Sequence, residues 1–240
     1  MALPFPPKSK CSPGDATRVF TLLDSVIAYR SAAASTYQFY EEIDAWLGPW
    51  GMSGYPIGYG KKYNILFSTN RAIARDGLGR SWFQQTTVLL QEALRDYWVA
   101  RVKKGTLATL TESEFRNAAF DSHPDAYLKG GLLDVVEKSP ELFFVILTIP
   151  YEEFNPSNPN FFRTVKQIIG LISRAGLLNM LRAIDGATYR SDLRAILLRW
   201  TWQAAASKIP FLPAIPPGAA DDNFWDSLGI WGGIANALDR

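Results

Sequence analysis

Apolar positions in this chain of 240 residues recur mostly at steps of three and four, the period of an amphipathic helix, and only one short stretch alternates at steps of two. Residues 1–14 hold four prolines and no period, which predicts a flexible Pro-rich tail. Asp15 or Thr17 can cap a first helix in which Val19, Leu22, Leu23, Val26 and Ile27 form one stripe. Tyr40, Ile43 and Leu47 mark a second helix, which Gly48-Pro49 ends because proline cannot continue it. From Trp50 to Gly60 the glycines and the alternation of Tyr55, Ile57 and Tyr59 predict a short hairpin or an irregular loop.

Residues 61–74 permit a helix, and Gly77 and Gly79 predict a break. Ser81 with Gln84 forms a capping-box pattern at the head of a long helix reaching Gly105, with Trp82, Leu89, Leu90, Ala93, Leu94, Tyr97 and Val102 on its apolar face. Thr111 with Glu114 repeats that pattern before a shorter helix through Phe115, Ala118 and Ala119. A turn at residues 121–125, a short helix, a break at Gly130-Gly131 and another short helix follow. Ser139-Pro140 heads an apolar helix ending near Pro150, and further helices are expected within 161–185, 191–204 and 222–238. A Pro-rich arm at 209–218 leads to the last of them. The fold class expected is mainly α: one globular multi-helix domain over 15–240 with at most one small β-hairpin.

Composition narrows the function. Lys and Arg number 25 against 23 Asp and Glu, and no basic block is long enough for a nucleic-acid footprint. The apolar run Leu142–Pro150 is about half of a bilayer span, so stable membrane insertion is not expected. The N-terminus lacks a signal-peptide core, which predicts synthesis in the cytoplasm and export only by a signal-independent route. One cysteine, Cys11, and one histidine, His123, leave no disulfide and no site needing two imidazoles; no metal and no cofactor is expected.

Chemistry is expected first around residues 35–63, where Glu41 and Glu42 precede a Gly- and Tyr-rich turn. A carboxyl group aimed from a helix end into a cleft floored by tyrosine can be held protonated and serve as a general acid. The same glutamates, with Asp44, also fit the solvated face of an ordinary helix. Asp121-Ser122-His123-Pro124-Asp125 is a second cluster, in which Asp121 can orient His123 as an acid–base pair or Ser122 with Asp125 can cap a helix. Gly130-Gly131 reads as a helix break in preference to a phosphate cradle.

The stretch Ile57-Gly58-Tyr59-Gly60, sixteen residues after Glu41, resembles the hairpin motif of the lysozyme-like fold found in phage endolysins and bacterial wall-degrading effectors. The likeness covers about 25 residues; Pro56 stands where that family has Thr, Lys61 where it has His, and no second carboxylate follows Asp44 before Asp76. The resemblance implies a glycoside hydrolase acting on a β-linked amino-sugar polymer such as peptidoglycan. Glu41 or Glu42 would be the acid, Glu41 preferred on spacing. Tyr59 or Ser53 would orient a water, and Tyr55, Gly58, Asp121 and His123 would contact the polysaccharide. A non-catalytic helical module that binds a protein partner, or acts as a toxin through such contacts, is the alternative.

Overall fold

The computed structural model describes residues 5–30, 35–47, 50–139, 142–143, 145–146 and 149–150. The expectations for residues 151–240, including the Pro-rich arm and the last three helices, lie outside the described residues. The chain divides between Gly131 and Leu132, and each side is described by itself.

The first unit is built on one long helix. Helices α1 (Ala16–Ser25), α2 (Gln38–Leu47), α3 (Lys62–Thr69), α4 (Arg71–Arg75), α5 (Gly77–Lys103) and α6 (Glu112–Lys129) follow in order, and α1, α4 and α6 pack on α5. Among the described residues no strand forms. The mainly α class therefore holds, with the expected hairpin replaced by helical turns.

That replacement has a local cause. Residues Gly51–Ser53 make a 3-10 turn and Pro56–Lys61 a π-helical turn that runs directly into α3. Pro56 occupies the first helical position, where its missing N–H costs nothing. Tyr55, Tyr59 and Tyr63 then recur at steps of four and pack in succession, Tyr55 stacked on Tyr59 and Tyr63 tilted against it, with ring centroids 5.4 and 4.5 Å apart. The step of two that suggested a strand is half of this helical step.

The glycines of the turn are packing positions. A Cβ on Gly58 would lie 2.1 Å from the Met52 carbonyl oxygen, and one on Gly60 would lie 2.6 Å from the Tyr40 ring. Their absence lets the π turn press against the 3-10 turn and α2.

Two further boundaries differ from expectation. Helix α5 begins at Gly77, because the Asp76 side chain accepts from Gly79 N at 2.8 Å and caps it; Ser81 lies inside the helix and accepts from Gln85. Helix α6 starts at the expected capping box of Thr111 and Glu114 but continues through Pro124 to Lys129. A proline inside a helix costs about 3 kcal/mol. Burying Phe115 and Phe120 returns roughly 3–6 kcal/mol in the same helix, so packing outweighs the break.

The N-terminal segment is docked along its described length. Phe5 stacks on Trp46 at 4.3 Å, Trp46 Nε1 donates to the Pro6 carbonyl at 2.7 Å, and Lys8 Nζ donates to the Leu110 carbonyl at 2.9 Å. Asp15 caps no part of α1 with its side chain; it accepts from Ser12 N and Oγ in a capping box one turn earlier.

In the second unit, α7 (Leu132–Lys138) buries Leu132 and Val135. The Ser139 carbonyl then accepts from Leu142 N and Phe143 N, and Leu142, Phe143 and Ile146 are buried. This agrees with the helix start expected at Ser139.

Candidate functional site

Helix α2, the π turn, α3, α5 and α6 border a partly open cavity of about 40 Å³ with an unusual wall. Eight aromatic rings line it, those of Tyr40, Tyr55, Tyr59, Tyr63, Phe67, Trp82, Phe83 and Tyr127, together with His123, Asn64, Thr86, Thr87, Gly60 and Leu90. No Lys, Arg, Asp or Glu is among them. The step-of-four tyrosines come from the π turn and α3, while Trp82, Phe83, Thr86, Thr87 and Leu90 come from successive turns of α5.

Tyr55 is the hinge between these elements. Its hydroxyl and His123 Nε2 are 2.8 Å apart, with Tyr55 at 1% exposure and His123 at 3%. Its backbone N–H donates to Glu112 Oε1 at 2.9 Å, which ties the π turn to the start of α6. Burial holds the phenols of Tyr40, Tyr55 and Tyr127 well above their ordinary pKa, with proximity to one another as a further cause for Tyr40 and Tyr55. All three therefore stay neutral O–H groups across the ordinary pH range. His123 also packs against Phe120 and Tyr127, at 5.5 and 5.6 Å.

Behind the rings sits a polar shelf. Asn64 Oδ1 accepts from Thr36 Oγ1 at 2.6 Å, and its amide lies 3.4 Å from Thr87 Oγ1. Gln91, fully buried, accepts from Ala28 N and donates to the Thr36 carbonyl, both at 2.7 Å. One side chain on α5 thus secures both ends of the connection between α1 and α2. Trp82 Nε1 and Thr86 Oγ1, by contrast, are buried with no hydrogen-bond partner among the described residues.

The residues expected to carry chemistry separate into two groups. Tyr55, Tyr59 and His123 come together in the cavity wall. Glu41 and Glu42 do not line it: Glu41 is paired with Lys61 Nζ at 2.6 Å with its side chain 43% exposed, and Glu42 is buried in α2. Asp44 is no part of a solvated face; it is buried and accepts from Trp50 N and Gly51 N, both at 3.2 Å, holding the 3-10 turn.

Ser53 is exposed and its hydroxyl donates to the Trp50 carbonyl, while Gly58 abuts the Met52 carbonyl. Asp121 is exposed and His123 buried, and Tyr55 is the neighbour at His123 Nε2. Ser122 caps nothing, since α6 is continuous there and its hydroxyl donates to the Ala119 carbonyl. Gly130 and Gly131 do end a helix, with Gly131 at φ +97°.

No family model, no curated protein and no solved structure matches the chain. The sequence pattern puts Trp82 on the apolar face of α5 but does not single out Thr86, Thr87 and Asn64 as wall residues, because the apolar stripe it marks runs on through Leu89 and Ala93, which are only half-buried. The signal available was Trp82 with Thr86 and Thr87, four and five residues on, where polar side chains continue an aromatic stripe. Among the described residues no cluster of three His, Cys, Asp or Glu side chains forms a metal site. No described helix is long and apolar enough to cross a membrane.

Proposed function

We propose that the first helical unit is a non-catalytic binding module whose ligand site is the aromatic cavity. The observation that carries this reading is the cavity itself, a space of about 40 Å³ left open among eight rigid rings. Native cores are packed to crystal-like density and hold few voids larger than a water molecule. An unfilled space walled by aromatic groups, with a few converging polar atoms, is the common form of a small-molecule site.

Its size limits the occupant. Small-molecule pockets usually measure about 300–1,000 Å³, so this one admits a head group and not a sugar ring. A glycosidase acting through Glu41 or Glu42 gains no support from this arrangement, because both carboxyl groups lie outside the cavity. The exposed apolar side chains Phe20, Tyr29, Met52 and Leu66 lie on α1, the turn after it, the 3-10 turn and α3, which gives no particular support to a protein-docking face either.

Thermal shift with a panel of fragments of up to about six heavy atoms tests the reading, alongside Thr87→Leu, which fills the space. Stabilisation by some fragments in the parent protein and by none in the variant is expected. Absence of any shift, with Thr87→Leu simply more stable, would reduce the cavity to a packing gap. A cell-wall clearing assay on the parent and on Glu41→Gln, Glu42→Gln covers the hydrolase alternative: clearing by the parent, lost in the variant, would replace the binding reading.

A further inference from the structure

Trp46 carries a second surface with the chemistry of a binding site, apart from the aromatic cavity, whose wall does not include it. The chain's own Phe5-Pro6-Pro7-Lys8 lies there. The Phe5 ring stacks on the Trp46 indole at 4.3 Å with an interplanar angle of 17°, and the indole N–H donates to the Pro6 carbonyl at 2.7 Å. Pro7, at φ −51° and ψ 135°, is close to polyproline II geometry. Aromatic grooves hold proline-rich chains in this conformation, and an indole N–H supplies a donor to carbonyls that such a chain leaves without an internal partner.

We propose that this ledge on α2 is a recognition site for an aromatic-Pro-Pro segment of a partner protein in polyproline II conformation, with residues 5–8 seated on it as an internal competitor. The proposal is independent of the cavity and its ligand.

The platform is firmly backed. Trp46 rests on Trp98 at 5.4 Å, and Trp98, fully buried, packs on Phe115 at 5.3 Å. The arm is held more lightly. None of residues 5–10 is buried, and beyond Trp46 the segment is tied by Lys8 Nζ donating to the Leu110 carbonyl at 2.9 Å. That tie is opposed: partial burial, and then the neighbouring Arg101 guanidinium, hold the Lys8 ammonium below its ordinary pKa. A partner segment with an uncharged residue at that place escapes the repulsion. Two successive prolines fix their own φ and keep the residue before them extended, so such a segment loses little freedom on docking. The short tether gives the arm an effective concentration in the millimolar range, which a partner of similar affinity has to match.

The test follows the 1H–15N signal of the Trp46 indole, assigned with Trp46→Phe, in the full parent chain and in full-length Phe5→Ala, which removes the ring of the internal competitor. The probes are two free peptides, Leu-Pro-Phe-Pro-Pro-Lys and Leu-Pro-Ala-Pro-Pro-Lys. The phenylalanine peptide should saturate the Phe5→Ala signal at roughly millimolar concentration. It should bind the parent about tenfold more weakly, because the tethered arm competes. The alanine peptide should shift neither. No response of the Phe5→Ala indole to the phenylalanine peptide overturns the recognition site. Equal affinity for the parent and Phe5→Ala overturns the internal competition. A parent that sediments as a dimer, with Phe5→Ala a monomer, overturns the partner in favour of arms exchanged between copies.

Discussion

The Tyr55 hydroxyl and His123 Nε2 meet at 2.8 Å inside the core, although 68 residues separate them in the chain. The pair joins the π turn to α6 at the wall of the cavity. Tyr55→Phe keeps the ring and its stacking on Tyr59 but withdraws the hydroxyl from a buried imidazole. Leaving a buried polar group without its partner costs about 1–3 kcal/mol, and urea unfolding of the variant should report a loss in that range with an unchanged slope.

Glycines at two positions should respond to alanine with opposite sign. In Gly60→Ala the new methyl lies 2.6 Å from the ring of Tyr40, itself 3% exposed, so the ring or the π turn must move. Overpacking of this kind costs about 1–3 kcal/mol. Gly77, at the start of α5, has nothing within 4 Å of that methyl and no positive φ. Gly77→Ala should stabilise by about 0.4–1 kcal/mol through the unfolded chain. Paired thermal melts check both.

The cap of α5 is decided by a similar comparison. Asp76→Ala removes the acceptor of Gly79 N and should cost about 1 kcal/mol, whereas Ser81→Ala, inside the helix, should stay within about 0.5 kcal/mol of the parent. A larger loss at Ser81 than at Asp76 in chemical denaturation would place the helix start where the sequence pattern alone had suggested.

Alkaline pH should unfold the first unit through its buried phenols. Burial raises the folded pKa of Tyr40 and Tyr55 above the value of about 10 expected in the unfolded chain. Their contribution is fully present below about pH 10 and is lost as pH rises further, because the unfolded state then releases protons that the folded state retains. The slope is about 1.4 kcal/mol per pH unit for each tyrosine. Tyrosinate absorbance should therefore rise together with loss of helical circular dichroism; ionisation of all tyrosines without unfolding would contradict this.

Thr86→Val should raise stability in the absence of any ligand. The hydroxyl it removes is buried and unpartnered, so its desolvation, about 1–3 kcal/mol when uncompensated, is avoided. The melting temperature should rise; a fall would show that the hydroxyl is satisfied in the folded protein.

Much of the helical architecture was legible because its signals act within one or two turns. Thr111 and Glu114 form their capping box and Gly130-Gly131 ends α6, each where local chemistry placed it. The errors at 51–61 and 121–125 came from reading local breakers as decisive. Gly58, Gly60 and Pro124 are tolerated in helical turns because neighbours fill the space beside them, and no neighbour is visible in a single stretch of sequence.

Sequence alone determined that these segments coil, since helical period, caps and the step-of-four tyrosines are written within a few consecutive residues. Tertiary structure decided which side chains share a cavity. Tyr55 reaches His123, and Gln91 holds Ala28 and Thr36, only because α1, the π turn and α6 come together around α5. It also left Glu41 beside Lys61, outside the aromatic wall. Contacts between residues some sixty apart depend on how whole helices seat against one another, and that is a property of summed packing over many side chains rather than of any one motif.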